Sequence, residues 1–175
     1  PMGDDFFSRL QTYHMEYDPS RPAARILEAA HLYASRWELN LIKDLNNFDD
    51  EIGDISQRFD DQLMEYSDLP GVKELSAPFG LGRFASFCGQ LRFQRRWSQT
   101  PRVPETSVLG HMFIVASYAY FLSLSVGACP KRRSNNFFAG LFHDLPELLT
   151  RDIISPVKKS TDEIGAIIRE YERAE

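Results

Sequence analysis

Phe137-Phe138-Ala139-Gly140-Leu141-Phe142-His143-Asp144-Leu145-Pro146-Glu147 is the stretch on which the fold of this chain turns. It starts as an apolar run and ends in a His-Asp pair with a proline just beyond it. Proline lacks a backbone donor and clashes with the turn before it, so a helix must close near Asp144 and a new element must begin at Glu147. Neighbouring residues on a helix point about 100° apart. His143 and Asp144 can share one ion most easily at a helix end, which is where Pro146 puts them. Neutral imidazole and carboxylate are both good ligands for divalent metals.

Upstream lies a second apolar segment, Val108 to Ala128, broken by Gly110, His111, Ser117, Ser123 and Ser125. These interruptions favour a buried core helix over a membrane span. It is expected to begin near Glu105-Thr106-Ser107. Cys129-Pro130 closes the loop before a helix from about Lys131 to Asp144. Further back, Phe84, Phe87, Cys88 and Leu91 form a helical stripe leading into Arg92-Phe93-Gln94-Arg95-Arg96-Trp97.

The N-terminal part is also helical in pattern. A short first helix, capped by Asp4 or Asp5, runs to about Tyr17. Pro22 suits the first turn of a second helix, with Leu27, Ala30, Ala34, Trp37 and Leu41 at helical spacing as its apolar face. An acidic third helix runs from about Asp49 to Tyr66, with Ile52, Ile55, Phe59 and Leu63 on one side. Leu69-Pro70-Gly71 reads as a turn, and Pro78 to Gly82 as a break. A last helix starts near Ser160-Thr161. No strand pattern, internal repeat or flexible linker is present. The expected architecture is all-α, with an extension over residues 1–82 packed on a core over 83–175.

Bulk properties narrow the function. The 175 residues carry a net charge of −5, with 43% hydrophobic and 26% charged residues. That composition suits a soluble globular fold and argues against a nucleic acid polymer as partner, which needs a basic surface. Two cysteines, Cys88 and Cys129, cannot build a disulfide framework, which points to a reduced cytoplasmic setting. No membrane association is expected. The acidic third helix is a solvated face or a docking face for a partner or symmetry mate. The chain ends inside a charged helix with no stop signal, which predicts that the natural sequence continues.

The one other histidine in the apolar half is His111. A single histidine on an apolar helix is usually a core residue with one hydrogen bond. Here two histidines and an aspartate lie on successive apolar helices, and burying all three without partners would be costly. A metal supplies the missing partner. Residue types alone leave both readings open, with His14 and His31 read as structural.

Arg96-Trp97, His111, His143-Asp144, Glu147, Asp152 and Pro156-Val157-Lys158 resemble, in order and spacing, the HD-domain 5′-deoxynucleotidases and their longer relatives. The resemblance covers about Leu91 to Glu172. It implies a helical HD domain, a divalent ion (Mn, Co, Ni, Fe or Zn) on His111, His143 and Asp144, and hydrolysis of a small-molecule phosphate ester, a nucleoside monophosphate. It implies acid–base catalysis by Glu147 and substrate binding by Arg96, Trp97, Asp152 and Lys158. Two departures stand out. The family's last aspartate ligand, on a later helix, has no match before Glu175, and Arg151 replaces the glycine before the second aspartate. The competing readings are a nucleotide-binding or scaffolding module without turnover, and an HD phosphohydrolase acting on triphosphates or phosphodiesters.

Overall fold

The computed structural model describes residues 3–46, 49–97, 100, 103–150, 166–167 and 170–171. In chain order the helices are α1 (Gly3–Met15), α2 (Pro22–Ile42), α3 (Glu51–Met64), α4 (Pro70–Ser76), α5 (Gly80–Gln90), α6 (Val108–Ser125), α7 (Pro130–Phe142) and α8 (Glu147–Thr150). A 3₁₀ turn, Lys43–Leu45, extends α2. Among the described residues the only extended pairing is a single antiparallel bridge between Arg95 and Ser107. The all-α expectation is met. Proline opens α2, α4 and α7, where its missing donor costs nothing and its fixed φ already suits a helix.

The chain divides into two compact units, Gly3–Ser86 and Phe87 onward, with the division inside α5. In the first unit α2 and α3 run antiparallel. Arg36 pairs with Asp60, and Arg25 grips Asp68 with a two-pronged fork, both contacts at 2.7 Å. The same guanidinium lies over the Tyr66 ring, 5.6 Å from its centroid. Trp37 donates from Nε1 to Ser86 Oγ at 3.2 Å.

The buried face of α2 differs from the expected one. Ala24, Ala29 and Leu39 are buried, whereas Leu27 is 61% and Leu41 37% exposed; Ala30 and Ala34 are exposed as well. The helix is apolar on several sides, so periodicity marks a helix without choosing which side meets α3. The Leu69-Pro70-Gly71 turn is in fact the entry to α4. Seven residues are too few for a periodic signal, and Pro70 is as good a helix start as a turn residue.

The second unit is organised by α6 and α7, an antiparallel hairpin closed by Val126–Cys129. Within it Gly140 lies against the backbone of Val115 and Ala116. Further from the site, Asn136 donates to Ser123 Oγ at 2.8 Å, and that hydroxyl donates to Ala119 O at 2.6 Å. The expectation of a core helix holds for one side of α6 only. Val108, Met112, Ala116 and Ser123 are buried, but Phe113, Ile114, Tyr118 and Leu122 are exposed. By length and composition α6 is also the one helix among the described residues that could cross a bilayer.

The core of this unit is Leu91, Val108 and Met112, joined by Leu109, Leu145 and Leu148. Met112 follows His111, Leu145 follows Asp144, and Leu148 follows Glu147. The packed cluster therefore holds the backbone beside each polar residue of interest.

Candidate metal centre

Ser107 caps α6. Its side chain accepts from Gly110 N at 3.0 Å, and its carbonyl accepts from His111 N at 3.0 Å. A serine at this position satisfies donors left open in the first turn. It also sets the angle at which His111, one turn in, leaves the helix. On the facing helix of the hairpin, α7 ends at Phe142 and His143 is its C-cap. The chain then turns through Asp144 to Pro146, with Glu147 N donating to Asp144 O at 3.0 Å.

This layout brings His111, His143 and Asp144 together. One ligand-type atom from each lies within 4.8 Å of the other two. Nε2 of His143 is 3.1 Å and Nε2 of His111 3.7 Å from the same oxygen, Asp144 Oδ2. The two imidazoles meet edge to face, with centroids 5.4 Å apart. His143 Nδ1 lies 2.7 Å from the Gly140 carbonyl. A carbonyl only accepts, so Nδ1 donates to it, and this hydrogen bond turns Nε2 toward Asp144.

These residues fit a divalent ion. An imidazole nitrogen and a carboxylate oxygen 3.1 Å apart are spaced to share one cation as ligands. Ligands at about 2.1 Å from one ion lie about 3.0 Å apart at right angles and about 3.4 Å apart in a tetrahedron. The two nitrogen-to-oxygen separations sit near these values. Two imidazoles and one carboxylate leave further positions on an ion for water or substrate.

Arg96 reaches the same place from outside the hairpin. Its Nη1 donates to Asp144 Oδ2 at 2.8 Å, and both side chains are about one-fifth exposed. Its backbone N donates to Thr106 O at 2.8 Å, and two residues earlier Gln94 O accepts from Val108 N at 2.9 Å. The resemblance implied that Arg96 meets substrate; its partner in this structure is a metal-ligand candidate. Trp97, beside it, is 55% exposed and has a left-handed backbone with φ 57°. Few residues other than glycine adopt that conformation, and it costs roughly 1 kcal/mol.

Glu147 opens α8 and is only 8% exposed, with its Oε2 shielded from solvent. It is one turn past Asp144, as the sequence led us to expect. Asp152 and Lys158 lie outside the described residues. Sequence reasoning missed the Gly140 carbonyl as the group that orients His143. No sequence signal marks it, since a residue of any type one turn before His143 carries that carbonyl.

Fold and site together define a helical protein with a His-His-Asp centre at the open end of a two-helix hairpin. Residues 88–175 match the family model described as HD domain, just over half the chain, and the chain belongs to the HD-domain family. HD domains are, in general, metal-dependent phosphohydrolases that act on small-molecule phosphates. No curated protein and no solved structure matches the chain.

Proposed function

We propose that this protein hydrolyses the phosphate monoester of a nucleoside monophosphate with a divalent ion held by His111, His143 and Asp144. The observation that carries the reading is the convergence of two imidazole nitrogens and a guanidinium on one carboxylate oxygen. When bound, the ion supplies Lewis acidity toward a phosphoryl oxygen and activates a water for attack.

The chain's own residues supply the rest. His143, locked through Nδ1 on Gly140, presents a fixed Nε2. Arg96 has a planar fork suited to two phosphoryl oxygens. Glu147 would take a proton on its carboxylate from the attacking water or return one to the leaving oxygen. A carboxylate held out of bulk solvent at the mouth of the centre is placed to exchange a proton with that water without competing solvent. The exposed Trp97 would offer a ring face to base or sugar. Asp152 and Lys158 are proposed to contact sugar and phosphate, as the resemblance implies. Mn, Co, Ni, Fe and Zn all suit mixed nitrogen and oxygen ligation.

The test is phosphate release by the metal-loaded full-length protein from nucleoside monophosphates, triphosphates and cyclic phosphodiesters. Orthophosphate from monophosphates, lost in Glu147→Gln, supports the reading. Turnover of only triphosphates or diesters replaces the substrate class and keeps the centre. Tight nucleotide binding with no turnover by any loaded form indicates a sensing module.

A further inference from the structure

We propose that Arg96 couples metal binding to phosphate binding, because its guanidinium and a divalent ion compete for Oδ2 of Asp144 and a dianionic phosphate removes the competition. This rests on the metal centre proposed above. Asp144 has two oxygens, yet Arg96 Nη1, His143 Nε2 and His111 Nε2 all address the same one, at 2.8, 3.1 and 3.7 Å. An ion bound by both imidazoles and this oxygen must enter beside a fixed positive charge already hydrogen-bonded to its ligand.

The charges decide the order of events. Asp144 and Arg96 balance each other, in a spot where both side chains are about four-fifths covered and water screens them less than at an open surface. A divalent ion added alone leaves the group at about +2. A dianionic monoester or free phosphate brings it back to neutral, and offers the guanidinium two oxygens in place of one. The main chain at Arg96 is held by Thr106 and by the Arg95–Ser107 bridge. The side chain can therefore swing from Asp144 to a phosphate while its base stays in place. The recognised chemistry is a dianionic phosphate, whether free or on a monoester; a monoanionic diester neutralises less and couples less.

The test is Mn²⁺ affinity of the full chain, read from the free-ion electron paramagnetic resonance signal, with and without inorganic phosphate. Phosphate should raise the wild-type affinity about tenfold, within the usual range for coupled sites. Arg96→Gln should bind Mn²⁺ about tenfold more tightly than wild type without phosphate, and gain little from phosphate. Arg96→Lys keeps the charge but loses the planar fork, so its gain should fall below wild type; this second variant carries the test if the glutamine variant does not fold. Equal Mn²⁺ affinity in wild type and Arg96→Gln without phosphate, or an undiminished phosphate gain in the variants, overturns the coupling and leaves the metal centre standing. No Mn²⁺ binding by wild type or either variant overturns the metal centre and the coupling with it.

Discussion

A methyl group placed on Gly140 would lie 2.9 Å from Ala116 Cα, 3.0 Å from Ala116 N and 3.2 Å from Val115 C. Carbon contacts relax at about 3.5–4.0 Å, so Gly140→Ala must push α7 from α6 by roughly 0.5–1 Å. All three opposing atoms are backbone and cannot rotate aside. That places the overpacking cost near the upper end of its usual range, about 3 kcal/mol. Alanine returns about 1 kcal/mol through its better helix propensity. The net loss is about 2 kcal/mol, or a fall in Tm of roughly 4–8 °C for a chain of this size. Gly53 in α3 is the control, since a methyl there meets nothing within 4 Å. Gly53→Ala should raise stability by about 0.5–1 kcal/mol. The assay is thermal unfolding followed by circular dichroism, with chelator present so that metal binding does not shift the midpoint. Adding Ala116→Gly to Gly140→Ala should not restore stability, because the obstruction is main chain. If Gly140→Ala melts at or above wild type while Gly53→Ala behaves as stated, the close approach is not real.

Three further outcomes are expected. Glu147→Gln should keep its metal and melting temperature while phosphatase turnover falls by about 10²–10⁴-fold; loss of metal would make Glu147 a ligand instead. His143→Ala should purify with far less divalent metal than wild type by elemental analysis, and equal occupancy would remove the site. The Arg25 fork holds the Asp68 carboxyl below its ordinary range, so its contribution is present above the unfolded carboxylate pKa and disappears as pH falls through the lower folded value. In urea titrations Asp68→Asn should therefore flatten the loss of stability between about pH 5 and pH 2; an unchanged acid slope would show that the pair contributes nothing.

The site was more legible in the sequence than the packing around it. Ligand chemistry is carried by residue type, and Pro146 forces a helix end beside His143 and Asp144 whatever the rest of the chain does. The polarity of α2 was legible in kind but not in direction. With Ile26, Leu27 and Ala30 as apolar as Ala24 and Ala29, only the position of α3 selects the buried side. The Arg96–Asp144 contact was not foreseen, because it joins residues far apart in sequence through a loop whose path no local signal encodes. The exposed side of α6 shows the same limit. An apolar helix announces that something could cover it, and the sequence alone reads as if everything does.

The Gly140 contact also sets the point about which α7 would pivot if it rocked on α6. His143 lies three residues beyond it, about 4.5 Å along the axis, and Pro130 lies ten residues before it, about 15 Å. Any rocking of α7 on α6 about that point moves the loop end roughly three times as far as the ligand end. A displacement of about 1 Å at Pro130 reaches His143 as about 0.3 Å, inside the roughly 0.5 Å tolerance that a working site demands. The hairpin therefore has a long arm that can absorb changes in the Val126–Cys129 loop and a short arm that keeps the imidazole steady.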